Sequence, residues 1–385
     1  MGAFTIERIT TTRLDIPLRT PITMSFGKLV TENVILVRMQ DSAGVTGVGE
    51  AAILGGPYWS EESAESVLAT VNTYLAPALV GQRFDSLPGL AARLERLVRG
   101  NPVARSAVEG AALDMVAKSL GRRAVDLIGT PHRHEIPVAW TLSEGCTEAD
   151  IDAGERAIAE RGHRMFKLKF GHAAPEDDLR RAARIVAAFE GRAQVTADVN
   201  QGWDEATARR CMSALKDAGL TALEQPLPAD DHAGIARLIA ETGLDVIADE
   251  AVLGPRAARR LAEAGAATVL SMKPGRDGGL MASRGVARVA EEAGLGLYGG
   301  SMLETSVGTA LSAHLFAALP CLAFGSELFG PLRLAEDIVE TPLSVSGGVM
   351  RLPEGPGSGV TLDEDKVAFL ADPDSAARTY LMATP

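Results

Sequence analysis

Cysteine is scarce in this chain of 385 residues: Cys146, Cys211 and Cys321 are the only three. None sits in a C-x-x-C pair, so neither a disulfide framework nor a structural zinc site is indicated. Long hydrophobic runs are missing too. The opening stretch MGAFTIERITTTRLDIPL has no apolar core of signal length and no 18-residue apolar segment follows, so the expectation is a cytoplasmic protein without a membrane span. Positive charge is also in short supply. Lys and Arg number 38 against 50 Asp and Glu, a net charge of −12, and no basic block occurs. That balance argues against nucleic acid or an anionic membrane as partner, and an anionic substrate would have to be met by a local cationic site. Finally, no Gly-rich dinucleotide fingerprint follows a first strand, which weighs against a Rossmann-type open sheet.

What is present is ordinary globular material, with 46% hydrophobic and 23% charged residues. The length suits two domains or one barrel with an elaboration. Residues 4 to 50 read as a strand meander and residues 61 to 127 as helices with apolar spacings of three and four, an α+β pattern. From about residue 135 short apolar strands alternate with seven amphipathic helical segments, several closed by glycine. Eight strands with intervening helices predict an α/β fold, a parallel TIM-type barrel whose chemistry sits at the C-terminal strand ends. We therefore divide the chain into a capping domain at 1–130, a barrel at 131–340, and a Gly/Pro-rich segment at 341–385 that returns to the capping domain.

The motif MFKLKFG, residues 165–171, puts Lys167 and Lys169 on one face of a strand and Phe166, Leu168 and Phe170 on the other. The next three strands each finish on an acid: Asp198 in TADVN, Glu224 in LEQPL and Asp249 in IADE, at intervals of about 25 residues. One strand-helix unit separates each pair, so all three should meet at the same barrel end. Hard oxygen donors with no neighbouring His or Cys suit Mg²⁺ or Mn²⁺; Asn200 and Glu250 stand beside them. Taken singly, each acid reads as well as a helix cap. Lys273, in SMKPG, ends the following strand, so cations flank the acids on both sides. A divalent ion and a desolvated interior are expected to push lysine pKa values down, toward proton exchange at carbon. The chemistry that needs such a set is enolate formation α to a carboxylate.

At these residues the sequence resembles the enolase superfamily, in its muconate-lactonizing subgroup, over nearly the whole chain. YGGSMLETSVGTALSAHLF and LAFGSELFGPLRLAEDI resemble the late segments of muconate cycloisomerases. The resemblance implies a (β/α)7β barrel with an N-terminal α+β cap, and cycloisomerisation of cis,cis-muconate to muconolactone. It also implies roles: Lys169 as acid/base with Lys167 assisting, Lys273 on the opposite face, Glu327 supporting the enolate, and Asp198, Glu224 and Asp249 on Mn²⁺ or Mg²⁺. Two capping loops, residues 20–28 and 53–63, correspond to the family's specificity loops. They bring Ile22, Met24, Phe26, Leu54, Tyr58 and Trp59 as an apolar lid, or as packing between domains. The helix opening near Ser301 could hold a carboxylate. Glu304 reads equally as a helix-start acid, and His314 as a packing residue. Related enolate chemistry stays open: chloromuconate cycloisomerisation, dipeptide epimerisation, or N-succinylamino acid racemisation and o-succinylbenzoate synthesis. A barrel kept only for metal-dependent binding is the reading from another class. Lys273 is followed by Pro274 and Arg276, a departure that leaves the protonated face open. A small dicarboxylate substrate and a homo-oligomer, octameric by resemblance, complete the expectation.

Overall fold

The computed structural model describes residues 3–24, 27–171 and 173–371. The cap opens with an antiparallel meander, β1 (Phe4–Met24), β2 (Gly27–Asp41) and β3 (Thr46–Ala52), with the short β4 (Arg83–Phe84) beside β1. The β2–β3 turn is set by its sequence: Asp41 Oδ1 accepts from the Ala43 and Val45 amides, both at 2.9 Å, and Gly44 takes the left-handed conformation, φ 86°. The helix Pro102–Ser119 lies directly on β3. Added Cβ atoms at Gly47 and Gly49 would come within 2.3 Å of its backbone, so only glycine permits this approach.

The strand β5 (Glu135–Pro137) leads into the barrel and pairs with the late hairpin β13 (Val345–Ser346) and β14 (Val349–Arg351). Barrel strands run in sequence order: β6 (Trp140–Leu142), β7 (Met165–Lys169), β8 (Gln194–Asp198), β9 (Ala222–Glu224), β10 (Asp245–Ala248), β11 (Val269–Met272) and β12 (Gly296–Gly299). All pair in parallel with their neighbours. Ser326 bridges Gly299 on one side and Val138 on the other, closing the curled sheet. The expected eighth strand is thus reduced to isolated bridges. Gly162, Gly243, Gly265 and Gly294 end four of the intervening helices with positive φ, the left-handed cap the sequence calls for. Past β14 the chain reaches back to the cap, where Arg38 Nη2 and Glu364 Oε2 are 2.7 Å apart.

Candidate active site

Register brings the charged strand ends together. Lys169 lies opposite Asp198, and Asp198 opposite Glu224, in successive parallel pairs. Asp249 follows β10 and Lys273 follows β11, so both join the same rim. Because β7 alternates, Lys167 points inward with Lys169 and is fully buried.

Lys167 Nζ stands 2.7 Å from Glu224 Oε2, 2.9 Å from Glu327 Oε1 and 3.6 Å from Asp198 Oδ2, with the Tyr298 ring 5.1 Å away. Lys169 Nζ donates to Asp198 Oδ2 at 2.6 Å and to Asn200 Oδ1 at 3.0 Å. Across the rim Lys273 Nζ donates to Asp249 Oδ2 at 2.7 Å and lies 4.0 Å from the centre of the Trp59 ring. Asn200 also donates to Glu250 Oε1 at 3.1 Å.

The protein's own groups oppose the downward shift that a divalent ion and burial together are expected to give. Burial pulls the pKa values of Lys167 and Lys169 down, but the facing carboxylates outweigh it, Glu224 first for Lys167 and Asp198 for Lys169. Both ammonium groups are therefore held more firmly protonated than a free lysine. The sequence could show that lysines and acids share a barrel end, but not that each ammonium meets an oxygen at under 3 Å. Asp249 is held at about 2: burial raises it, and Lys273, Arg276 and Lys167 more than offset that. Burial and the charges of Asp249 and Asp198 push Glu250 up to about 7.

The donor set fits a hard divalent cation. Asp198, Glu224 and Asp249 are all buried, and neither Glu224 oxygen has a hydrogen-bond partner, because Lys167 meets it at ion-pair distance without hydrogen-bond geometry. Among the described residues no three such side chains are gathered into a ready coordination cluster, since each acid is drawn to a lysine instead.

A cavity of about 50 Å³ lies between the lysines. Its walls include Lys167, Lys169, Asp198 and Asn200 on one side, and Lys273, Ser301 and Leu303 on the other; Ile22, Leu54 and Trp59 cover it. Tyr58 does not join them: it is 56% exposed and lies outside the cavity wall. The Met24 side chain and Phe26 fall outside the described residues. Ser301 lines the cavity, but its hydroxyl donates to Glu304 Oε2 at 2.6 Å. The helix start nearby is already filled by the protein's own acids. Glu50 Oε1 accepts from the Thr305 amide at 2.8 Å and Asp337 accepts from the Ser306 amide at 3.2 Å, so this end is not open to a substrate carboxylate. His314 is a packing residue, its Nδ1 facing the Val125 amide at 3.3 Å and Nε2 the Ser358 carbonyl at 3.1 Å.

Sequence reading missed Gln225, Phe329 and Thr141. Gln225 Oε1 accepts from the Asp249 and Ala251 amides at 3.0 and 3.2 Å, fixing the turn that presents Asp249. Phe329 and Thr141 complete the cavity wall. LEQPL and GSELFG carried the only signals, a polar and an aromatic residue just past a site acid. Leu54, Asn200, Gln201, Gln225 and Leu303 all have positive φ, between 35° and 66°. Backbone strain in non-glycine residues therefore gathers around this rim, as it does at functional sites.

Comparison with known proteins identifies the family. Residues 7–129 match the family model for the mandelate racemase / muconate lactonizing enzyme N-terminal domain, and residues 150–366 match the enolase C-terminal domain-like model. The chain is 43% identical over 364 residues to muconate cycloisomerase 1-2 of Acinetobacter lwoffii, covering 94% of each protein. It is 40% identical to the chloromuconate cycloisomerase of Pseudomonas sp. strain P51, covering 94% of this chain and 98% of that one. The crystal structure of muconate lactonizing enzyme from Pseudomonas fluorescens complexed with muconolactone superposes with a TM-score of 0.93 at 38% identity, over 95% of this chain and 99% of that one. With both domains matched and near-complete coverage at this identity, the chain belongs to the mandelate racemase / muconate lactonizing enzyme family, with the enolase-type barrel.

Proposed function

We propose that this enzyme is a muconate cycloisomerase, interconverting cis,cis-muconate and muconolactone. In the forward direction one carboxylate oxygen adds to the carbon β to the other carboxylate. The α-carbon then takes a proton, and no atom leaves. The observation that carries the reading is the opposition of Lys169 and Lys273 across one small cavity, with Asp198, Glu224 and Asp249 between them.

Asp198, Glu224 and Asp249 would hold a divalent cation, Mn²⁺ or Mg²⁺, which when bound supplies positive charge for the enolate oxygens. Lys169 is assigned the proton transfer at the α-carbon for syn addition, and Lys273 for anti addition. Lys167 and Glu327 form a buried ion pair at 2.9 Å that holds the rim in place and keeps positive charge near the developing enolate. Ile22, Leu54 and Phe329 exclude water from the diene. A small dicarboxylate is the partner molecule; homo-oligomeric assembly and a cytoplasmic location belong to the same reading.

Loss of the ultraviolet absorbance of muconate on adding protein and Mn²⁺ tests the assignment, and unchanged absorbance overturns it. Chloromuconate is the second reading, favoured by relatives of that name at 40% identity; a higher kcat/KM for chloromuconate than for muconate would select it.

A further inference from the structure

Lys167, Lys169, Lys273 and Arg276 stand at the barrel rim, and three of these four have acids to face. Lys167, Lys169 and Lys273 each have a carboxylate oxygen within 2.7 Å. Arg276 differs. It is only 6% exposed, its Nη2 donates to the Glu250 carbonyl at 2.5 Å, and its Nε and Nη1 have no hydrogen-bond partner. Asp249 and Asp277 feel its charge, but among the described residues neither forms an ion pair with it. A buried guanidinium with two nitrogens unpaired is expensive to keep, and a water-excluded site retains one where a ligand completes it.

The guanidinium is also placed at the cavity. Its Cζ lies 4.3 Å from the centre of the Trp59 ring, and the same ring carries Lys273 Nζ at 4.0 Å. Trp59 and Lys273 both line the cavity, so Arg276, in contact with the same ring, sits beside it. The cavity volume of about 50 Å³ would take one or two waters but not a six-carbon diacid. Substrate entry therefore requires the covering residues to move. Trp59 rides on the loop through Gly55 and Gly56, with φ of 78° and 142°, and a shift of its ring would open the contact it makes with Arg276.

We propose that Arg276 receives the second carboxylate of the substrate, the one that becomes the lactone, while the first is held at the acid-lined end of the cavity. This rests on the dicarboxylate reading above and specifies which residue makes the substrate a diacid. Nη2 spends one hydrogen on the Glu250 carbonyl. Its second hydrogen, with that of Nε or Nη1, leaves a two-donor edge that matches a carboxylate. Arg333 is the other buried guanidinium nearby, but only its Nε lacks a partner and it lies behind Trp140 and Phe329. On ring closure the carboxylate loses its charge, so the grip of Arg276 weakens in the lactone. Arg276 thus contributes more to holding the diacid than to the transition state.

The test is Arg276→Met and Arg276→Lys, each first checked for an unchanged thermal unfolding midpoint, with two unreactive six-carbon ligands, adipate and hexanoate. With Mn²⁺ present, we expect R276M to raise the KM for muconate about ten- to hundredfold with a much smaller change in kcat. Calorimetric binding of adipate should weaken by a similar factor and that of hexanoate should not, and R276K should recover part of the loss. Equal weakening of both ligands, or an unchanged KM and adipate affinity, overturns the proposal. If wild type fails to turn over muconate the functional reading falls, and the adipate-to-hexanoate preference in wild type and R276M still decides the role of Arg276.

Discussion

Replacing Lys167 by Met removes the cation that faces Glu224 at 2.7 Å, Glu327 at 2.9 Å and Asp198 at 3.6 Å while keeping most of the side-chain volume. All four side chains are at least nine-tenths buried. Breaking a buried ion pair from one side costs about 3–5 kcal/mol, because the remaining charge has neither water nor partner. For a chain of this length, with an unfolding entropy of roughly 2 cal/mol/K per residue, that is a fall of about 4–6 °C in Tm. The deficit should depend on pH. Without Lys167 the Glu224 pKa, already raised by burial, rises further above its unfolded value near 4, and Asp198 loses one of the charges that hold its own down, so the buried charge can be neutralised at low pH but not at high pH. The loss is then small at pH 5 and grows toward pH 8. Urea unfolding of the metal-free protein at both values measures it, and saturating Mn²⁺ should restore much of the difference at pH 8. A loss under 1 kcal/mol, or an equal loss at both pH values, would refute the reasoning that Lys167 is the electrostatic centre of the rim.

Burial lowers the His314 pKa to about 4, so the unfolded chain takes up a proton near 6.5 that the folded protein refuses. Stability should drop by about 3 kcal/mol as pH falls from 6.5 to 4, and His314→Gln should remove that part of the slope in chemical denaturation. Glu32 Oε1 accepts from the Ile53 and Leu54 amides, both at 2.7 Å, and so holds the left-handed turn that puts Leu54 in the cavity wall. Glu32→Ala leaves the buried Leu54 amide unpaired, while the Ile53 amide keeps the Asn33 carbonyl at 3.1 Å, and should cost about 1–3 kcal/mol in urea unfolding, with Glu32→Gln retaining most of the stability. Gly49→Ala places a methyl 2.3 Å from the Ala107 carbonyl oxygen. The strand and helix must part, which should lower stability by about 1–3 kcal/mol; an unchanged Tm would contradict the packing described for β3.

The barrel and its acids were legible because both are periodic. Strand-helix units of about 25 residues put Asp198, Glu224 and Asp249 on one rim, and the alternation of β7 put Lys167 and Lys169 on one face. What stayed hidden depends on contacts that no local pattern encodes. The helix start at Thr305 looked open to a ligand, but Glu50 fills it from 255 residues away. Tyr58 sits in the same loop as Leu54 and Trp59 and faces outward, because the turn after Leu54 is set by φ values that composition does not reveal. The pull of the acids on the lysines was hidden for a similar reason: their proximity was readable, their distances were not. Arg276 was visible as a departure, and its meaning came only with the partners its nitrogens lack.

The measurement that bears most directly on the central claim is muconate turnover with Mn²⁺ in heavy water, comparing wild type with Lys169→Ala and Lys273→Ala and locating deuterium in the lactone by NMR. The account predicts one deuterium at the carbon α to the free carboxylate, with turnover reduced about 10²–10⁴-fold by loss of whichever lysine faces that carbon. Syn deuterium goes with Lys169 and anti deuterium with Lys273. Lactone formed at wild-type rate by both variants would contradict it.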